Sequence, residues 1–332
     1  MKSFRLLAGV ACLAMMCAPA LAEDGSVEQA ASTEAKAAGA PPAKPVEAKK
    51  KSGWQLKPRW RVQYDIADLD GPAGLAGLGK VDDLRRAQIG IDLKMPSGFS
   101  ARIEGDLAAN PIEFTDAYLA WDGNGINVTA GQHKTLTPLD DMTSDLNTSF
   151  MERPSIVTAF GYGRRTGISA GYSKGDFGIN AGVFTDPLLQ LNDVKTGSVS
   201  LDSRAYWSPK VGKAKLHFAA AYHWRDLNDF GLATTRYRLR PQIRITDTRY
   251  IGTPALAITK EQKYGLEAAG VIGRFHGAAE VHWLSASRTG FDNPSFFGGY
   301  AEVGMFLTND SRLLKNGTFG GIKPKKPLDS GG

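Results

Sequence analysis

The sequence predicts an all-β fold, a transmembrane antiparallel β-barrel, and three observations lead there. Apolar and polar residues alternate through successive strand-length runs. The breaks between those runs alternate between tight turns and long connections. All six tryptophans fall in the apolar phase. A period of two is the signature of strands with one greasy and one wet face.

The runs are clearest between Leu84 and Trp121. Ala87, Ile89, Ile91, Leu93 and Met95 share one phase, and Gln88, Asp92 and Lys94 the other. Pro96-Ser97-Gly98 turns the chain. Phe99, Ala101, Ile103, Gly105 and Leu107 then resume, opposed by Ser100, Arg102, Glu104 and Asp106. After Asn110-Pro111 the pattern returns with Ala117, Leu119 and Trp121 against Asp116 and Tyr118. Before them, Trp54, Leu56, Trp60, Val62, Tyr64 and Ile66 alternate with Gln55, Lys57, Arg59, Arg61, Gln63 and Asp65. Further runs follow at 125–133, 164–173, 177–185, 199–208, 213–225, 263–272, 275–285 and 297–307, which makes twelve strands in all. Tight breaks at 96–98, 122–124, 174–176, 209–212 and 273–274 interleave with long ones at 67–83, 134–163, 186–198, 226–262 and 286–296. An outer-membrane barrel sorts its loops to two rims in this way, and a soluble sandwich has no reason to. Most tryptophans (Trp54, Trp60, Trp121, Trp207, Trp224, Trp283) sit near run ends, where an interfacial girdle belongs. Ordinary core placement explains their phase but not that clustering.

The N-terminus supplies the compartment. Lys2 and Arg5 precede a short apolar stretch from Leu6 to Cys17, and Ala20-Leu21-Ala22 is an A-x-A cleavage site. Residues 1–22 therefore read as a signal peptide. Both cysteines, Cys12 and Cys17, lie inside it, so the mature chain has none and rests on strand pairing and burial. Residues 23–52 are Ala, Glu, Lys and Pro without an aromatic, a composition that cannot bury a core and suits a disordered periplasmic leader. Residues 53–332 are left for the barrel. Net charge falls from +6 to +4 when Lys2 and Arg5 leave, a modest excess that matters only where it is concentrated. That argues against a nucleic-acid partner.

If lipid lies outside, the wet phase lines a water-filled lumen. It carries both signs of charge, including Arg59, Arg61, Arg86 and Arg102 against Asp65, Asp92, Glu104 and Asp116. Within the long connection 226–262, Arg236, Arg238 and Arg240 alternate with Tyr237 and Leu239, and Arg244 and Arg249 extend the series. Such a file either replaces an anion's hydration step by step inside a lumen or forms a basic outer edge for anionic surface polysaccharide. His217 and His223 share one strand's wet phase, and His276, Glu280 and His282 another's, at spacings too wide for one small ion. No cofactor motif is present, and no nucleophile stands beside a base at strand spacing, which disfavours an enzyme.

The stretch 84–122, Gly131-Gln132-His133-Lys134 followed by Thr143-Ser144 and Phe150-Met151-Glu152-Arg153, and Leu307-Thr308-Asn309-Asp310-Ser311-Arg312 together resemble the phosphate-selective porin O and P family, in order, from Trp54 to the end. The resemblance implies a sixteen-stranded homotrimeric barrel in the Gram-negative outer membrane. It implies passive transport of small anions such as phosphate or polyphosphate, with loops folded inward and an arginine ladder. On that likeness 134–163 is the constriction loop, and Arg85, Arg86 and Arg153 gather near the eyelet with Lys134 and Ser144. Arg236, Arg238 and Arg240 form the ladder, and Arg59 and Arg61 line the pore. Phosphate-specific members are expected to place a lysine shortly before Thr-Ser-Ser. Here that neighbourhood reads Asp140-Asp141-Met142-Thr143-Ser144-Asp145: an aspartate stands where the lysine belongs and another replaces the second serine. Carboxylates there repel a phosphate dianion or pair with Arg85, Arg86 or Arg153. A general, weakly selective pore is one competing reading, and a non-conducting scaffold or adhesin is another. Twelve runs against sixteen, with a Lys-Pro-Leu-Asp-Ser-Gly-Gly ending, lead us to expect a C-terminally incomplete barrel.

Overall fold

The computed structural model describes residues 53–70, 79–109, 111–191, 197–227, 234–240, 242–244, 249, 251–322 and 324–327. The expected signal peptide and leader, 1–52, lie outside them. Twelve long strands form the wall. These are β1 (Gln55–Leu69), β2 (Gly79–Lys94), β3 (Phe99–Asp106), β4 (Glu113–Gly123), β5 (Ile126–Lys134), β6 (Arg164–Lys174), β7 (Phe177–Phe184), β8 (Val199–Trp207), β9 (Ala214–Asp226), β10 (Lys260–Ile272), β11 (Phe275–Ser287) and β12 (Ser295–Met305). Each pairs antiparallel with the next in chain order, so the sheet is one continuous meander. Among the described residues β1 pairs with β2 and β12 with β11, and no ladder joins β1 to β12.

Short turns close one rim. Asn124 and Gly125 both have positive φ, 52° and 80°, which is the twist a two-residue hairpin turn demands. Long connections gather at the other rim. The outward face is apolar and exposed, with Val62, Ile89, Ile103, Ile168, Ile179, Val183, Leu201 and Leu266 all presented to the surroundings. Four tryptophans, Trp54, Trp60, Trp207 and Trp283, are exposed on it as well. A water-facing wall with that band would be unstable; a lipid-facing one is what the pattern builds. No helix of the described residues is long and apolar enough to cross a membrane, which says nothing of strands.

The inward face divides in two. Across β1 to β7 it is polar and wet. Across β9 to β12 it is covered. Two short helices in the connection after β5, α1 (Leu139–Met142) and α2 (Ser155–Phe160), fold inward. Ile156, Val157 and Phe160 of α2 bury against Leu284 and Ala286 of β11 and Tyr237, Leu256 and Ile258 of the long connection. Leu139 of α1 meets Ala269, Val271 and Ala278 of β10 and β11. A hairpin after β12, Leu313–Lys315 paired with Thr318–Gly320, adds Leu314 and Phe319 to that cluster.

Two β-bulges re-aim the inward face. The β1–β2 register slips between Gln63 and Tyr64, skipping Arg85, so the consecutive Arg85 and Arg86 both turn inward. The β3–β4 register slips between Glu104 and Gly105, which turns both Thr115 and Asp116 inward.

Candidate functional site

Between the wet wall and the inward-folded loop lies a cavity of about 1130 Å³. Its lining carries Arg59, Arg61, Arg86, Arg102, Lys134, Arg153, Arg164 and Arg244 on the cationic side. Glu104, Asp106, Glu113, Asp116, Asp122, Asp141 and Asp145 face them. Eight cations against seven carboxylates leave the space nearly neutral.

The wall charges pair with one another. Arg59 donates to Glu104 at 2.7 Å and to Asp92 at 3.1 Å. Arg102 bridges Asp92 at 2.6 Å and Asp116 at 3.4 Å, and Arg164 reaches Asp116 at 2.8 Å. Alternate residues of neighbouring strands project to the same side, so each guanidinium meets a carboxylate one or two strands away.

The inward-folded connection after β5 is tied from several sides. Lys134 donates from Nζ to the Asp141 carbonyl and to the Thr143 carbonyl at 3.3 Å. Arg153 holds the Asp140 carbonyl, the Asp140 carboxylate at 2.8 Å and the Thr143 carbonyl at 3.1 Å. Across the lumen, Glu280 of β11 accepts the backbone N–H groups of Leu139 and Asp140 at 3.0 and 2.9 Å. These are first-turn donors of α1 with no partner inside the helix. Burial pushes the Asp140 carboxyl up to about 6, against the opposing pull of Arg153. Arg61 and Arg86 both meet Asp145, Arg61 at 2.8 Å.

The residues singled out in the sequence are thus only partly brought together. Arg59, Arg61, Arg86, Lys134, Ser144, Asp141, Asp145 and Arg153 line one cavity. Asp140 sits behind it, bonded to Arg153. Arg85 is buried between Asp65 at 2.9 Å and Glu152 at 2.6 Å, so it fastens the loop to the wall. Arg236, Arg238 and Arg240 do not line the cavity. Tyr237 turns inward and donates to Glu261 at 2.6 Å, which leaves its neighbours Arg236 and Arg238 exposed on the other side. Farther along, Arg244 donates to the Arg85 carbonyl at 2.8 Å, so the long connection crosses from β9 to β2.

Sequence reasoning missed Arg164, which opens β6 beside the loop, and the terminal hairpin. Arg204 of β8 is fully enclosed, donating to Glu267 at 3.0 Å and to the Gly317 carbonyl of that hairpin at 2.8 Å. Asn316-Gly317 was its available signal, a pair suited to a tight turn. Among the described residues no group of His, Cys, Asp and Glu is arranged to hold a metal.

Residues 56–331 match the family described as phosphate-selective porin O and P. A Caulobacter vibrioides sequence described as an uncharacterized protein is 39% identical over 323 residues, covering 91% of this chain. The chain spans 65% of that relative's length. The fold is similar to the trimer form of in-vitro folded OmpT, an outer membrane protein of Vibrio cholerae, at 9% identity and a TM-score of 0.39, over 78% of this chain and 86% of that one. Outer-membrane expressed OmpT of the same organism gives 10% identity and a TM-score of 0.40, over 80% and 87%.

Proposed function

The chain belongs to the phosphate-selective porin O and P family, and from that premise we propose that it is an outer-membrane porin, a passive diffusion channel for small anions with weak selectivity. The charged cavity carries this reading. Water and ions are stabilised by a wall lined with guanidinium and carboxylate groups, while the exposed apolar band meets lipid. Weak selectivity follows from pairing. Arg59, Arg61, Arg86 and Arg153 each already hold a carboxylate, so an anion entering the cavity meets neutral pairs and not bare cations. Arg236 and Arg238, exposed on the long connection, would draw anions toward the mouth through the mean field rather than by a fixed ladder. Residues 1–22 direct export, 23–52 form the leader, and the assembly is a homotrimer in this proposal.

Reconstitution in a planar bilayer tests it. Discrete conductance steps with a reversal potential displaced modestly toward the chloride equilibrium are expected in a potassium chloride gradient, and added phosphate should reduce the chloride current only at high concentration. Silence beside a conducting control porin, or cation preference, would overturn the proposal.

A further inference from the structure

Two cavity arginines from different strands converge on one loop carboxylate. Arg61 of β1 donates from Nη1 to Asp145 Oδ1 at 2.8 Å, and Arg86 of β2 meets Oδ2 of the same group. The register places Arg86 opposite Gln63, two residues along from Arg61 on the same face. Two guanidiniums so placed repel unless an oxyanion lies between them, and each turns one terminal nitrogen to it, while the other of Arg61 donates to Gln63 Oε1 at 2.6 Å. Here the oxyanion is part of the protein.

The loop has other ties on both sides of Asp145. Lys134, Arg153 and Glu280 fasten 139–143. On the far side, Arg312 donates to the Asn147 carbonyl and to Ser149 at 2.9 Å. Between those ties the Asp145 side chain reaches the clasp across the cavity and lines it. Each of the other loop carboxylates has a nearer duty: Asp140 and Asp141 flank Arg153, and Glu152 meets Arg85.

Resting on the channel reading, we propose that Asp145 is a tethered competitor that occupies the Arg61–Arg86 clasp in place of a solute carboxylate or phosphate. A solute oxyanion enters by displacing the Asp145 carboxylate, is held between the two guanidiniums, and leaves with its charge when Asp145 returns. The tethered group acts at the high effective concentration of an intramolecular ligand, so a free anion is not retained, and transit replaces capture. Asp145 is therefore the residue that sets how strongly the pore holds phosphate.

The test compares the full chain with Asp145→Asn and Asp145→Ser. Two measurements are made: reversal potential with phosphate block in bilayers, and titration calorimetry with inorganic phosphate on detergent-folded protein. The substituted proteins should retain the heat-modifiable folded form. Their chloride-over-potassium permeability ratio should rise about threefold to tenfold on loss of one fixed charge in the cavity. Phosphate should bind and block at concentrations about tenfold lower or better, because the competitor is gone. Adding Arg61→Ala and Arg86→Ala to Asp145→Asn should abolish the gain. Conducting variants with unchanged selectivity and unchanged phosphate binding would overturn this inference while the channel reading stands. A wild-type chain that never conducts, with a variant that gains phosphate binding in detergent, would sink the channel reading and leave the clasp supported. Loss of the folded form in both variants would show Asp145 to be a structural tie, and would overturn the inference too.

Discussion

Replacing Glu280 by alanine should release the inward-folded loop that carries α1 from the far wall. Glu280 is 1% exposed, and its two oxygens accept from Leu139 N, Asp140 N and the Tyr300 hydroxyl, the last at 2.7 Å. Hydrogen bonds to a charged group contribute about 1.5–3 kcal/mol each, and a buried donor left without a partner costs a similar amount. Leu139 is itself 0% exposed, so water cannot replace the lost acceptor while α1 stays docked. Counting the two backbone bonds alone, docking weakens by about 4 kcal/mol. At 1.4 kcal/mol per decade, the undocked population grows by roughly two to three orders of magnitude. Hydrogen exchange reads this directly at the Met142 and Thr143 amides, which are protected by bonds to Pro138 and Leu139 at 2.9 Å. Their exchange should accelerate in Glu280→Ala, and less in Glu280→Gln, which keeps one acceptor oxygen. Unchanged protection in Glu280→Ala would refute the idea that Glu280 anchors the loop.

Three further outcomes are expected. The Asp140 carboxyl, held up at about 6, binds its proton more tightly folded than unfolded. Loop docking should therefore strengthen as pH falls through 6 toward 4, and the penalty, about 2–3 kcal/mol, should be fully present above 6; exchange protection of 139–143 at pH 7 and pH 5 checks the sign. Arg312 lies 3.8 Å over the Phe319 ring and meets Glu302 at 3.4 Å, so Arg312→Ala should loosen the lumenal hairpin by about 2–4 kcal/mol and speed tryptic cleavage after the exposed Lys315. Gly131 has φ +121°, and a Cβ there would overlap the Ala117 carbonyl oxygen. Gly131→Ala should then lower the denaturation temperature of the folded form at a cost of about 2–3 kcal/mol.

The wall was legible because period two is a local property. The run expected at 164–173 is the strand Arg164–Lys174, and that expected at 275–285 is Phe275–Ser287. The longer reach of β2, back to Gly79, was hidden because Lys80, Asp82 and Asp83 carry no apolar alternation there; pairing with β1 up to Leu69 holds it. The interior was less legible. Leu284, Ala286, Ala269 and Ala278 occupy the inward phase yet face protein, because α1, α2 and the terminal hairpin cover them. Strand periodicity says which way a side chain points, not what it meets. The Arg85-Arg86 pair was readable as two inward cations, but the bulge and the burial of Arg85 against Asp65 and Glu152 depend on partners 20 and 67 residues away. The same holds for Asp145, whose two arginines come from strands formed long before it in the chain.

A wall with lipid on one side and water on the other is tested by adjacent residues of β7. Ile179 is 55% exposed on the outer face, and Asn180 lines the cavity. Because both cysteines fall within residues 1–22, Ile179→Cys and Asn180→Cys, each the single thiol of its processed chain, would be reconstituted in liposomes and treated with a membrane-impermeant maleimide. Labelling at 180 and protection at 179 is the predicted result. Labelling at 179 with protection at 180 would contradict it, placing water outside the wall and a dry core within.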